Sequence, residues 1–113
     1  MPGLKTINLE ENMPTKDACI RRLTYELHNC RELGYTAVKL IHGYGSSGAG
    51  GRLRVEVRRY LDRSVPRLLR FYIPGEEFSI FGEATRGAFL LCPELRRDPD
   101  IERHNNGVTF VIL

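Results

Sequence analysis

No Gly-Lys-Ser/Thr closes the glycine-rich segment of this chain, so the phosphate-binding apparatus of nucleotide hydrolases is missing. The cysteines, Cys19, Cys30 and Cys92, are odd in number and show no CxxC spacing. That argues against both a disulfide framework and a zinc site, and favours a reducing cytoplasm. No apolar run exceeds a few residues and the N-terminal stretch has no leader-like core, so neither secretion nor a membrane span is expected. Aromatic residues make up 9% of the chain, and Tyr44 alone falls in the glycine-rich segment, too little for a base-stacking platform.

With 113 residues, 42% of them apolar and 27% charged, residues 1–113 read as one globular domain. By size scaling, such a domain buries about two-thirds of its unfolded surface. The net charge of +3 is unevenly spread. Residues 1–51 hold 6 Lys+Arg against 5 Asp+Glu, residues 52–70 hold 7 against 2, and residues 71–113 hold 4 against 7. The positive charge is therefore concentrated in 52–70, where a polyanion would meet it, although a basic helix face is also a common solvated surface.

The central stretch runs Ala37-Val38-Lys39-Leu40-Ile41-His42-Gly43-Tyr44-Gly45-Ser46-Ser47-Gly48-Ala49-Gly50-Gly51-Arg52-Leu53-Arg54. It reads as an apolar strand, a loop nearly bare of side chains, and a basic helix starting near Arg52. Such a loop leaves its amides free for an anion, and the helix start adds unsatisfied donors and the positive end of its dipole. The phosphate-binding candidates are Gly43, Tyr44, Gly45, Ser46, Ser47, Gly48, Gly50, Gly51, Arg52, Arg54, Arg58, Arg59 and Lys39. The same spacing also serves a plain connector between strand and helix.

Around this segment, Thr6–Glu10 alternates as a short first strand, and Thr15 caps a helix with its apolar stripe on Ile20, Leu23, Leu27 and Cys30, stopped by Gly34. Leu53, Val57, Leu61 and Val65 mark the second helix. Residues 68–73 form a third strand, 83–92 a short helix, 93–106 a loop, and 108–113 a terminal strand. This βαβαββ order predicts an α/β fold with a mostly parallel mixed sheet of four strands, two main helices and an extra short helix in an acidic insertion at 79–104. Ligands of such sheets gather at the carboxyl ends of the strands, where Glu10, Glu11 and His42 would meet if the first two strands are neighbours.

The segment HGYGSSGAGGRLR and the closing NNGVTFVIL resemble the Smr (small MutS-related) family, whose motif is His-Gly-x-Gly, a glycine-rich run and Leu-Arg. The resemblance covers residues 5–73 and 105–113. It implies a two-layer α/β sandwich similar to the C-terminal domain of translation initiation factor three. It also implies binding of structured DNA or RNA and, in several members, endonuclease activity. Where that family commonly has Leu-Asp-x-His in the first strand, this chain reads LKTINLEE, with Asn8 and Glu10 in place of the acid and the histidine.

Three readings follow. In one, the domain binds nucleic acid and cleaves it as a hydrolase, with Glu10 or Glu11 holding Mg2+ or Mn2+ or activating water and His42 acting on the scissile phosphate. In another, cleavage is lost and a non-catalytic module docks on nucleic acid, a ribosome-like particle or a protein. The third makes the loop an anion hole for a small phosphate or nucleotide substrate, with no ribose- or base-recognition signature in its favour.

Overall fold

The computed structural model describes residues 3–12, 15–43 and 49–113. The elements are β1 (Leu4–Asn8), α1 (Lys16–Glu32), β2 (Ala37–Ile41), α2 (Ala49–Ser64), β3 (Phe71–Pro74), a 3-10 turn (Gly75–Glu77), α3 (Glu83–Leu91), a second 3-10 turn (Pro93–Arg97) and β4 (Val108–Ile112).

Local chemistry sets several of these boundaries. The Asn8 side chain accepts the Glu10 amide at 2.9 Å, an Asx turn that ends β1 two residues earlier than the alternation predicts. The Thr15 hydroxyl accepts the Ala18 amide at 3.2 Å and caps α1, which Gly34 closes with φ +88°. The second helix starts at Ala49 rather than near Arg52, so Gly50 and Gly51 lie inside its first turn. The third strand is shortened from 68–73 to Phe71–Pro74, because Leu68 and Leu69 are buried in the turn that follows α2.

The sheet order is β1-β2-β4-β3. β1 pairs parallel with β2 in the register Leu4↔Ala37 to Asn8↔Ile41. β4 runs antiparallel to both β2 and β3. Three strands thus share a direction and the fourth returns between two of them, because the connection after Pro74 re-enters the sheet at the end it left, opposite Thr109.

Strand alternation sends side chains to two cores. On one face Ile7, Leu9, Val38, Leu40 and Val111 pack against Leu23 and Leu27 of α1 and Leu53, Val57 and Leu61 of α2. On the other, Ala37, Ile73, Phe110 and Ile112 meet Phe78, Ala88, Phe89 and Leu95. The insertion therefore adds a partial third layer to the two-layer sandwich. The 93–106 segment predicted as loop contains a 3-10 turn whose Leu95 is fully buried.

Candidate nucleic-acid interface

His42 follows the last residue of β2 and faces the helices. Its amide and that of Gly43 both donate to the Gly107 carbonyl at 3.0 Å, tying the strand end to the turn that leads into β4. Gly43 leaves the strand with φ +83°, and any Cβ there would collide with the Glu10 carboxylate. The ring is 0% exposed. Its Nδ1 lies 2.9 Å from the Gly43 carbonyl, which can only accept, so Nδ1 carries the proton and Nε2 accepts from the Thr109 hydroxyl at 2.8 Å.

Arg58 continues the chain of bonds. Its Nε donates to Thr109 Oγ1 at 3.1 Å, and its two terminal nitrogens grip Glu76 at 2.8 Å each. Burial, assisted by the Arg58 and Arg54 charges, pushes the His42 pKa down to about 4, against the opposing Gly43 bond and the Glu76 charge. The imidazole is neutral and fully bonded, so its geometry is that of a brace between Gly43 and Thr109. Burial by itself would raise the Glu76 carboxyl, but the Arg58 hydrogen bonds outweigh it and hold the pKa below its ordinary value.

The predicted residues separate into groups. Glu10 does reach the strand end, with its carboxylate against the Gly43 backbone. Glu11 does not join it: its carboxylate lies 3.7 Å from Arg22 of α1. Lys39 is misplaced by the sequence reading. It points to the opposite sheet face, where it sits 3.0 Å from Asp98 and 2.6 Å from Asp100, because β2 alternates and Lys39 is one residue out of phase with Leu40 and His42. Arg58 is likewise held inward, on Glu76 and β4, rather than presented to solvent with Arg59.

Arg59 is exposed and lies 3.1 Å from Glu56, a surface pair of little energetic weight. Arg52 is exposed in the first turn of α2, which carries no acidic residue, and Arg54 is half-buried in the second. Arg54 acts electrostatically on both His42 and Glu76, which places it over this end of the sheet. Tyr44, Gly45, Ser46, Ser47 and Gly48 lie outside the described residues. Among the described residues, no three His, Cys, Asp or Glu side chains converge as a metal-ligand group.

Sequence reasoning missed Thr109, Glu76 and Asn105. Asn105 accepts the Gly107 amide at 2.9 Å and donates to Asp100 at 2.9 Å, shaping the turn that receives Gly43. Glu76 depends on Gly75, whose missing Cβ lets the 3-10 turn lie against the Asn105 carbonyl. The Asn105-Asn106-Gly107 run was the one available signal for this wall.

A strand-end histidine, a left-handed glycine and a basic helix start with no acid in its first turn meet at the carboxyl end of β2 in this α/β domain. The Smr domain family model matches residues 11–82, more than half of the chain, and the chain belongs to that family. The fold is similar to the crystal structure of the Smr domain of Thermus thermophilus MutS2, with a TM-score of 0.60 and 21% identity over 96% of each chain. No curated protein gives a significant sequence match. Gly43, Gly45 and Gly48 also stand at GxGxxG spacing, but the sheet, with β4 antiparallel at its centre, is not the parallel doubly wound sheet on which a dinucleotide loop works. Among the described residues no helix is long and apolar enough to cross a membrane.

Proposed function

We propose that residues 1–113 act as one nucleic-acid-binding domain that holds the phosphate backbone at the start of α2, with His42 as a positioning residue. The observation that carries this reading is the acid-free first turn of α2, with Arg52 and Arg54 beside a strand end whose histidine is locked and neutral. Backbone amides and guanidiniums supply sequence-independent contacts, so affinity falls as salt rises. The free, buried thiols of Cys19, Cys30 and Cys92 are in keeping with a reducing cytoplasm.

The test is binding of duplex DNA and duplex RNA across a salt series. Replacing Arg52 and Arg54 together by Ala removes two phosphate contacts, lowering affinity by about tenfold and flattening the log-log salt slope by about 2. Equal affinity and slope for wild type and variant overturn the reading.

One observation favours a second reading, cleavage: the Glu10 carboxylate packed against Gly43 at the mouth of the segment. There Glu10 would activate water or hold Mg2+ or Mn2+. His42, with both nitrogens committed, would position rather than transfer a proton. Structured RNA and supercoiled DNA incubated with each metal decide it. Products that vanish in Glu10→Gln support cleavage, and intact substrate leaves the binding module.

A further inference from the structure

Not all the positive charge of residues 52–70 gathers at the glycine segment. Arg58 is matched by Glu76, and Arg59 by Glu56, whose second cation is Lys16 at 4.0 Å. Asp62 accepts the Tyr72 hydroxyl at 2.7 Å. Apart from Arg70, which donates to the Leu113 carbonyl at 3.0 Å, what remains without an Asp or Glu partner among the described residues divides into two groups at opposite ends of α2. Arg52 and Arg54 stand at its start, and Arg63 and Arg67 at and beyond its end.

The second group borders a hollow of about 470 Å³ between the second half of α1 and the end of α2, lined by Thr24, His28, Tyr60, Arg63, Ser64, Arg67 and Leu68. The Thr24 and Tyr60 hydroxyls share a 2.6 Å hydrogen bond in its wall. Arg31 approaches from α1 and donates to the Arg67 carbonyl at 3.1 Å, a neutral partner that leaves its charge uncompensated. Helix ends attract cations, which accounts for Arg31 and Arg63 in the last turns of α1 and α2. The Thr24 and Ser64 hydroxyls bond back to the Ile20 and Tyr60 carbonyls one turn earlier, but neither rule accounts for Arg67, which lies past the helix, or for His28 lining the same hollow.

We propose that this hollow is a second phosphate contact, taking the backbone of the same nucleic acid whose first contact is at Arg52 and Arg54. The inference rests on the nucleic-acid-binding reading above. Eleven helical steps separate Arg52 from Arg63, about 16 Å along the axis and about three turns, so the two share one face of α2. A duplex running beside α2 covers that span in about five base pairs at about 3.4 Å each. The guanidiniums supply charge-assisted bonds to phosphate oxygens, whereas the Thr24 and Ser64 hydroxyls donate to the Ile20 and Tyr60 carbonyls and serve only as the polar wall of the hollow. A chain bound at both ends of α2 is fixed in direction along the helix, which one contact alone does not achieve.

The experiment measures affinity for a duplex of about twenty base pairs, as DNA and as RNA, across a salt series. The proteins are wild type, Arg63→Glu/Arg67→Glu, the milder Arg63→Gln/Arg67→Gln, and a control with the same charge change on exposed insertion residues, Arg86→Glu/Arg97→Glu. Thermal unfolding of each variant verifies its fold. The inference expects at least about a tenfold loss and a slope flatter by about 2 in the first variant, the same slope change in the Gln pair, and near-wild-type binding by the control. Unchanged affinity in the Arg63/Arg67 variants, or an equal loss in the control, overturns the second contact while leaving the first intact. Absence of binding by the wild type overturns the proposed function itself.

Discussion

On the insertion face of the sheet, Lys39 is sealed: its side chain is 9% exposed, and its partners Asp98 and Asp100 are 5% and 16% exposed. On the helix face, Arg58 is 16% exposed but its partner Glu76 is 37% exposed, so one side of that pair is wet. Burial alone would lower the Lys39 pKa, yet the two carboxylates outweigh it and hold the ammonium charged. Lys39 also lies 5.6 Å from the centre of the Phe110 ring. The two cations do different jobs. Lys39 clamps the insertion to the middle of the sheet, whereas Arg58 aligns Thr109 and His42 while keeping its charge near the mouth of the candidate site.

The largest effect expected from this contrast is on stability. Lys39→Met leaves two carboxylates buried without a cation, which costs about 3–5 kcal/mol. Arg58→Met exposes Glu76 to water that already reaches it, and should cost about 1–2 kcal/mol, mostly from the bonds lost at Thr109 and Val108. Urea denaturation of both variants measures the difference. Equal losses would mean that the two faces hold their charges alike.

His42 gives the next effect, in pH dependence. Its folded pKa is about 4 against about 6.5 in the unfolded chain, so the unfolded state binds more protons between those values. Stability contributed by the neutral ring is complete above about pH 6.5 and is lost as pH falls toward 4, with a total on the order of 3 kcal/mol. A denaturation series over about three pH units, from about 7.5 to about 4.5, should show this decline in wild type and a shallower one in His42→Gln. Parallel profiles would place the ring in water and remove the brace.

Much of the fold was legible because its signals are local. The Thr15 cap, the stripe through Leu23 and Leu27, the Gly34 stop and β2, apolar but for Lys39, each report on neighbours a few residues away, and each element stands where those signals put it. The His42 and Gly43 strand end was legible for the same reason. What escaped was long-range pairing of charge. Lys39 meets an acid 59 positions along the chain, and Arg58 one 18 positions along, and no periodicity announces either. Parity alone would have separated Lys39 from His42, since residues three apart on a strand face opposite sides of the sheet. The misplaced helix start has another origin. Gly50 and Gly51 have poor intrinsic helix propensity, yet α2 begins at Ala49 and carries them in its first turn.

The smallest effect probes Arg58 itself. Glu76→Gln removes one negative charge beside a guanidinium still bonded to Thr109 and to the Val108 carbonyl at 3.2 Å, so stability should fall by about 1 kcal/mol or less. If the half-wet geometry leaves Arg58 within reach of a phosphate, the freed charge should raise nucleic-acid affinity about threefold and steepen the salt slope by about 1. Calorimetric or anisotropy titrations at two salt concentrations read both quantities. An unchanged slope would show that the Arg58 charge is as closed to ligand as that of Lys39, and the contacts at this end of α2 would then fall to Arg52, Arg54 and the backbone amides.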